Sequence, residues 1–218
     1  MTQRPKRSYR GEARTRQAAE TRRRIVEAAA RLFVHDGYSA TSIAAIATDA
    51  GVAEPTVYAT LRSKANILRA VIDRTVRGDD ESPPLAAREP WKELEREPDA
   101  RERLLLFVRL HRTICEREAV VFAQLEAAAG ADPEATEMLA DHDRRRYETQ
   151  SRLARALRRD GLLREGLSSR EAADTIWTLA SERTYLALVR DRGWTPARYE
   201  RWLVEQLAAA LLEPARPG

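Results

Sequence analysis

Apolar residues along this chain recur mainly at spacings of three and four, which places them on one face of an α-helix. Residues 17–36 carry such a stripe, which includes Ile25, Leu32 and Phe33. No stretch of useful length alternates polar and apolar residues in the manner of a β-strand. The dominant residue types, Ala, Arg, Leu and Glu, include the strongest helix formers. The pattern therefore predicts an all-α protein.

Two short helical patterns meet at a tight turn between residues 41 and 62. Gly51 lies at the turn, and glycine accepts the positive backbone φ that such a turn often needs. Pro55 suits the first turn of the second helix, where its missing N–H leaves no hydrogen bond unmade. Val57 and Leu61 are four residues apart and face inward on that helix. This arrangement is typical of a helix-turn-helix, whose second helix enters the major groove of DNA.

The rest of the chain predicts a larger helical body behind a break. Glycine, prolines and acidic residues interrupt the helical pattern over residues 78–98, which we interpret as a linker or loop in which Trp91 packs back onto the body. The body covers residues 99–213. We expect five helices there: 99 to about 116, about 117–129, 133–160, from the capping box at Ser168 to just before Gly193, and from Thr195-Pro196 to Pro214.

The net charge of +4 is unevenly distributed along the chain. Residues 1–78 contain fifteen Lys or Arg and seven Asp or Glu, a balance of +8, and the rest of the chain carries −4. Basic residues that neutralise phosphates supply much of the affinity of proteins for DNA. A basic region that coincides with a helix-turn-helix therefore favours DNA binding over a merely solvated face.

The first sixteen residues are basic and lack an apolar period, so we predict a flexible arm over residues 1–16. Two interpretations of this arm are equally consistent with the sequence. It contacts phosphates or the adjacent minor groove, as basic arms of other DNA-binding folds do, or it is a solubilising tail.

Residues 22–70 contain an ordered set of apolar, small and polar residues: Ile25, Ala28, Ala29, Leu32, Phe33, Gly37, Tyr38, Thr41, Ser42, Ile46, Ala47, Ala50, Gly51, Val52, Thr56, Val57, Tyr58, Ser63, Lys64 and Leu68. In this set the region resembles the DNA-binding domain of the TetR family of transcriptional regulators. The resemblance covers about the first third of the chain, and it implies a three-helix head over residues 17–77 that a connecting helix joins to the body. Beyond this region the chain is similar to the family only in length and helicity.

The resemblance also implies which residues contact DNA. Phosphate contacts are expected from Thr41 or Ser42, and from Thr56, Tyr58 and Lys64, the last at the start of the next helix. The full set expected at the interface is Thr41, Ser42, Glu54, Pro55, Thr56, Tyr58, Ala59, Thr60 and Lys64.

The recognition helix departs from the family pattern in ways that weaken base readout. Ala53 stands where a serine is usual and removes a capping hydroxyl, and Glu54 stands where a basic residue is usual. A carboxylate suits a helix N-terminus but repels phosphate, so Glu54 is expected at the interface edge, or else accepting a hydrogen bond from cytosine N4. Ala59 and Thr60 offer only small apolar contacts. DNA shape and backbone contacts are therefore expected to carry more of the specificity.

The resemblance implies a homodimer in which the last two body helices pair with their copies in a second protomer. The apolar faces of these helices also fit a core within one protomer, and the dimer is favoured because the family is dimeric. A two-fold dimer requires a near-palindromic operator. The interface residues expected are Trp177, Leu188, Trp202, Leu203, Leu207 and Leu211.

The resemblance further implies a small, largely apolar effector that is enclosed by the body helices and releases the protein from DNA. His111 and Cys115 are four residues apart, a spacing that can chelate a metal, but no further ligands are spaced to join them. We therefore expect no metal and no cofactor. The residues expected to line the effector site are Phe107, His111, Cys115, Phe122, Leu125, His142, Tyr147 and Trp177.

Other function classes have less support in the sequence. No nucleophile, metal-protease, phosphate-loop or paired-carboxylate motif is present, so we expect no enzyme. A helical interaction protein with an incidentally basic head is the main alternative to a DNA-binding regulator, and a helical-bundle enzyme is a less favoured one. A single cysteine fits the reducing cytoplasm, and no apolar run approaches the roughly 18–20 residues of a membrane span.

Overall fold

The computed structural model of the protein describes residues 7–77, 89–130 and 132–214. Every regular element in these ranges is helical, and a helix-turn-helix head precedes a larger helical body, which confirms the predicted fold class. The elements are α1 (Arg7–His35), α2 (Ile43–Ala50), α3 (Glu54–Leu61), α4 (Lys64–Arg77), α5 (Glu89–Arg96), α6 (Ala100–Ala129), α7 (Pro133–Arg159), α8 (Ser169–Leu179), α9 (Glu182–Tyr185) with a π-helical segment (Leu186–Asp191), and α10 (Pro196–Leu211).

The head is built by α1 to α4 around one apolar core. Ile25 and Phe33 of α1, Ile46 of α2, Val57 of α3 and Leu68 of α4 are almost fully buried in it. These are the positions that the helical spacing of apolar residues assigned to inward faces. The core therefore fixes α3 with its other face towards solvent.

The turn between α2 and α3 depends on Gly51 and on an arginine of α1. Gly51 has φ +62°, and its N–H reaches the carbonyls of Ala47 and Thr48 at the end of α2. Arg24 donates from Nε to the Ala50 carbonyl at 2.9 Å and from Nη2 to the Gly51 carbonyl at 2.7 Å. A cation at the C-terminal end of a helix is favoured by the helix dipole. The predicted positive φ at Gly51 is confirmed.

One long helix, α6, forms the centre of the body and also contacts the head. Asp99 caps it by accepting hydrogen bonds from Arg101 and Glu102. Its N-terminal half packs with α7, α8 and α10, and Val121 and Leu125 in its C-terminal half pack into the head core. The prediction of two helices with a boundary near residue 116 is wrong, because Glu116 and Arg117 are helix formers on an exposed face and nothing there breaks the helix.

The second body helix behind the Ser168 capping box is shorter than predicted. The capping box is present, but α8 ends at Leu179, and the expected continuous helix towards Gly193 is wrong. Ala180 leaves the helical conformation, and its carbonyl accepts hydrogen bonds from two side chains of α7. Gln150 donates to it at 2.9 Å and Arg146 at 3.0 Å. Tertiary hydrogen bonds therefore replace those of a continuing helix.

Two predicted segment boundaries differ from the structure. Helix α1 begins at Arg7, so residues 7–16 of the predicted flexible arm are helical, and residues 1–6 lie outside the described residues. Helix growth adds one hydrogen bond for each residue fixed, so the Arg-rich stretch extends the helix without an apolar stripe.

The predicted linker 78–98 contains α5, and residues 78–88 lie outside the described residues. Trp91 and Leu94 of α5 are buried, and the Trp91 ring meets Phe107 of α6 edge-on with centroids 6.3 Å apart. Trp91 thus packs onto the body as predicted. Among the described residues, no helix combines the length and the apolar character that a bilayer span requires.

Replacing Gly51 by alanine is expected to lower the free energy of unfolding by at least about 1 kcal/mol, because an L-residue resists this positive φ. The added Cβ would also lie 2.8 Å from Arg24 Nη2. Urea denaturation followed by circular dichroism measures the change. The control is Gly130→Ala, at φ −70° with open space around it, which is expected to leave stability unchanged or slightly raised. Equal stabilities of the two variants would contradict this account of the turn.

Candidate DNA interface and effector core

The second helix of the motif, α3, exposes a continuous face. Val57 and Leu61 bury its opposite face in the head core. Tyr58 is 47% exposed, and Glu54 and Ala59 are exposed beside it. An aromatic ring with that exposure is free to contact a DNA backbone, whereas a core tyrosine would not be.

The other predicted residues of α3 are also at or near this face. Pro55 is exposed, and Thr56 and Thr60 are half-buried. The Thr60 hydroxyl donates to the Thr56 carbonyl at 2.7 Å, so its oxygen remains available only as an acceptor. Ala53 precedes the helix without a side-chain capping bond.

The two residues before α2 have different roles. Thr41 is 3% exposed, and its hydroxyl donates to the Gly37 carbonyl at 2.8 Å. Ser42 is exposed and caps α2 by accepting a hydrogen bond from the Ala45 N–H at 3.0 Å. Of these two alternatives for a phosphate contact, only Ser42 is therefore at the surface.

Lys64, predicted to contact phosphate, is half-buried at the start of α4. Its ammonium lies 4.4 Å from the centroid of the Tyr38 ring and 3.3 Å from the Ser39 carbonyl. Burial lowers the pKa of Lys64, and the nearby Asp132 carboxylate acts in the opposite direction. The ammonium is thus held against the Tyr38 ring and the turn that precedes α2.

Arg62 was not selected from the sequence and ends α3 in an unusual conformation. Its φ of +64° with ψ −48° is unfavourable for any residue except glycine, and its N–H donates to the Tyr58 carbonyl at 2.9 Å. The residue is exposed next to the outward face of α3. Strained residues cluster at functional sites, and guanidinium groups suit phosphates. Sequence patterns give no signal for such backbone strain.

Replacing Arg62 by glycine is expected to raise the free energy of unfolding by about 1 kcal/mol, because glycine adopts positive φ without steric cost. The same change is expected to weaken DNA binding, because it removes an exposed charge beside α3. Denaturation measures the first effect and fluorescence anisotropy with labelled DNA the second. Arg62→Lys, which keeps both the charge and the strain, is the control. Unchanged stability of the glycine variant would contradict the assignment of strain.

The residues predicted to line an effector site separate into groups. Phe107, His111 and Cys115 lie together in the body core. The rings of Phe122 and His142 form a second contact, with centroids 4.9 Å apart.

The remaining three predicted lining residues have other surroundings. Leu125 belongs to the head core rather than the body core. Tyr147 donates to an Asp174 carboxylate oxygen at 2.9 Å near the surface, and Trp177 lies under the Arg146 guanidinium at 4.7 Å. A single enclosed site lined by all eight residues is therefore absent from the described part of the chain.

His111 is a buried neutral base within the body core. Its Nε2 lies 3.0 Å from the Tyr199 hydroxyl and 3.4 Å from Cys115 Sγ. Burial lowers the pKa of His111 to about 4, and burial raises the pKa of the Cys115 thiol. The two residues whose spacing allowed metal chelation are thus hydrogen-bonded within the core.

A second polar cluster in the body was not predicted from the sequence. Glu118 of α6 and Glu182 of α9 are each 2% exposed. His142 Nε2 lies 3.4 Å from one Glu182 oxygen, and Arg146 Nε lies 3.6 Å from the other. The residues come from three helices with no regular spacing, so no sequence motif could have indicated the cluster.

The two carboxyl groups of this cluster differ in their protonation. Burial, and then the charge of Glu182, raise the pKa of Glu118 well above its usual range. Burial acts to raise the pKa of Glu182 too, but His142 and Arg146 outweigh it and hold this pKa below its usual range. The site therefore presents one ionised carboxylate beside a group that favours its neutral form.

The predicted dimer residues divide between core and surface. Leu203, Leu207 and Leu211 are completely buried in the body core of the same protomer, so their assignment to an interface is corrected. The helical stripe that they share packs α10 against α6 and α8, the alternative that the sequence pattern left open. The three other predicted interface residues keep partial exposure: Trp177, Leu188 and Trp202.

The neutral state of His111 makes stability depend on pH. As the pH falls from about 6.5 towards 4, the unfolded chain binds a proton that the folded protein does not, so stability is lost over this window. The full effect is about 3 kcal/mol. The free energy of unfolding between pH 4 and 8 is expected to fall less steeply for His111→Phe than for the unmodified protein.

The exposed Val34 supplies the control, since Val34→Ala changes no titratable group and is expected to keep the slope of the unmodified protein. Equal slopes for His111→Phe and the unmodified protein would contradict the assignment of a depressed His111 pKa.

Comparison with known proteins identifies the head. Residues 25–71 match the family model described as bacterial regulatory proteins, tetR family. No curated protein matches the chain.

Several solved structures share the whole fold. A transcriptional regulator from Saccharomonospora viridis in complex with choline is 26% identical, with 90% of this chain and 100% of that chain covered and a TM-score of 0.69. A TetR-family regulator from Mesorhizobium loti is 22% identical, with 90% and 98% covered and a TM-score of 0.68. SmeT in complex with triclosan is 22% identical, with 88% and 92% covered and a TM-score of 0.66.

These similarities agree with the geometry of α2 and α3. The matched region contains both helices and the Gly51 turn between them, and the likeness of the whole chain extends through the body. Residues 25–71 thus match the DNA-binding head of the tetR family, and the chain as a whole has the fold of the compared transcriptional regulators.

Proposed function

We propose that this regulator binds a near-palindromic operator as a homodimer, represses transcription, and is released from DNA by a small molecule that binds in the body. The regulator class follows from the family, and the remaining parts are inferences from the residues described above. The family also points away from an enzyme. A protein that acts on the operator of a bacterial gene works in the cytoplasm.

The observation that carries the proposal is the exposed face of α3. The core holds Val57 and Leu61, so the helix presents Tyr58 and Ala59 outward in one fixed orientation. Such a face fits the major groove, where the recognition helix of a helix-turn-helix lies. The small residue Ala59 suits close approach to a thymine methyl, and Tyr58 and Ser42 suit phosphates.

The dimer is supported by aromatic side chains that the body leaves partly exposed. Trp177 of α8 and Trp202 of α10 are half-buried, and Trp202 packs edge-on against Trp194 with centroids 6.0 Å apart. Aromatic residues are enriched at protein interfaces. We infer that these tryptophans, with Leu188, take part in the pairing of protomers, whereas the buried leucines of α10 support them from the core.

The effector is supported by two kinds of evidence. Similar structures contain small molecules, choline in one and triclosan in another. In this chain, Phe107 and His111 on α6 line the body core, and Val121 and Leu125 further along the same helix pack against the head. A ligand that displaces α6 would therefore alter the head, and differential affinity for the two arrangements would shift the population away from DNA.

The direct test is a gel shift with purified protein and the DNA that flanks its own coding region, at several salt concentrations and with nonspecific competitor. A discrete complex that resists competitor and contains two protomers is expected. If no complex forms there, selection from random DNA replaces the flanking sequence. Failure to recover any motif would refute sequence-selective regulation and favour a helical interaction protein.

Replacing Lys64 by alanine is expected to weaken binding to all DNA sequences by a similar factor, because an ammonium contact to phosphate carries no sequence information. The slope of log affinity against log salt is expected to fall by about 1. Fluorescence anisotropy over a salt series measures both. Lys92→Ala removes the same charge from the exposed side of α5 in the body and serves as the control. An unchanged slope for Lys64→Ala would exclude this phosphate contact.

A further inference from the structure

The polar cluster of the body core brings three metal-ligand side chains together. Glu118 of α6, His142 of α7 and Glu182 of α9 each direct one ligand atom into a space where all three atoms lie within 4.8 Å of one another. Because α6 packs against both α7 and α9, the ligands are held by the fold rather than by one flexible loop.

The two carboxylates of this cluster are incompletely satisfied by the protein. Glu118 and Glu182 are both 98% buried, and one oxygen of each, Oε2, has no hydrogen-bond partner. Glu182 Oε2 faces Arg146 Nε at 3.6 Å, whereas Glu118 Oε2 has no such neighbouring cation among the described residues. Buried polar atoms in folded proteins are nearly always hydrogen-bonded or bound to an ion, so the Glu118 oxygen in particular indicates a missing ligand.

The neighbouring cation does not complete the cluster. Arg146 donates from Nη1 to the carbonyls of Trp177 and Ala180, at 2.8 and 3.0 Å, and these bonds anchor its guanidinium beside α8. Its Nε comes only to 3.6 Å from Glu182. One guanidinium balances the ionised Glu182 and leaves Glu118 in its neutral form. A divalent cation between Glu118, His142 and Glu182 would favour ionised Glu118 and use its free oxygen as a ligand.

We propose that Glu118, His142 and Glu182 form a binding site for a divalent transition-metal ion. One imidazole nitrogen with two carboxylate oxygens is a donor set suited to Zn²⁺ and neighbouring ions, and the imidazole disfavours Mg²⁺ and Ca²⁺. Bond lengths near 2.0–2.2 Å require the ligand atoms to move together by about 1 Å, which rotation of the glutamate side chains provides. Water would complete the coordination shell.

The site joins the three helices that surround the body core. Glu118 lies three residues before Val121, where α6 enters the head core, so the ion would fix α6 against α7 and α9 close to the head. This site differs from the pair His111 and Cys115, whose side chains are hydrogen-bonded to each other, with His111 also bonded to the Tyr199 hydroxyl.

The test is a titration of tag-free, chelator-treated full-length protein with Co²⁺, followed by visible absorption, and with Zn²⁺, followed by calorimetry. One ion per protomer is expected. Glu118→Gln removes one charged ligand with almost no change in shape and is expected to weaken binding at least about tenfold. The exposed Glu116→Gln on the same helix is the matched control and is expected to bind as the unmodified protein does.

A second variant keeps the test valid if Glu118→Gln fails to fold. His142→Gln is expected to weaken Co²⁺ binding to the same degree, with circular dichroism to establish that each variant is helical. The measurement uses no DNA, so its outcome is independent of the proposed regulatory function.

Three results would overturn the proposal. The first is no binding of either metal, and the second is binding that Glu118→Gln and His142→Gln leave unchanged. The third is a thiolate-to-cobalt absorption band, which would assign the ion to Cys115. Tetramethylammonium is titrated in parallel, and its binding in the absence of metal binding would assign the carboxylates to an organic cation instead.

Discussion

The packing of α6 into two cores is the constraint on which the rest of the structure depends. Its first half holds Phe107 and His111 in the body core, and its second half places Val121 and Leu125 among the residues of α1 and α4. Hydrogen bonds reinforce the junction: Gln124 of α6 accepts from the Tyr38 N–H at 3.1 Å. Because protein interiors are close-packed, a displacement of α6 in the body core also moves its residues in the head core. The same helix therefore stabilises the fold, and under the proposed function it connects the effector site to the DNA-binding head.

Sequence patterns predicted the head well because its helices and turn are determined by residues close to one another in the sequence. The apolar spacing of Ile25 and Phe33, the position of Gly51, and the inward pair Val57 and Leu61 all appear in the structure as expected. Each depends only on helix periodicity or on the backbone freedom of glycine. The first residue of α1 could not be predicted in this way, since a charged helical extension carries no apolar period to indicate where it begins.

The body could be predicted only in part, because tertiary contacts decide its details. Helix ends at Asp132 and Ser168 follow from capping residues, but the break at Ala180 depends on Gln150 and Arg146 of another helix. The periodic leucines of α10 fitted a core or a dimer equally, and only packing assigned them to the core. Glu118 could not be recognised for the same reason, since its partners are far from it in sequence.

The proposed function requires α3 to read DNA in a sequence-selective way from a two-fold dimer. The most direct measurement is the selection of bound fragments from random double-stranded DNA, sequenced over successive rounds at fixed salt. We expect enrichment of an inverted repeat whose half-sites are separated by about one helical turn, or a multiple of it. Persistent binding without any enriched motif would contradict it, because the basic head would then bind only the phosphate backbone.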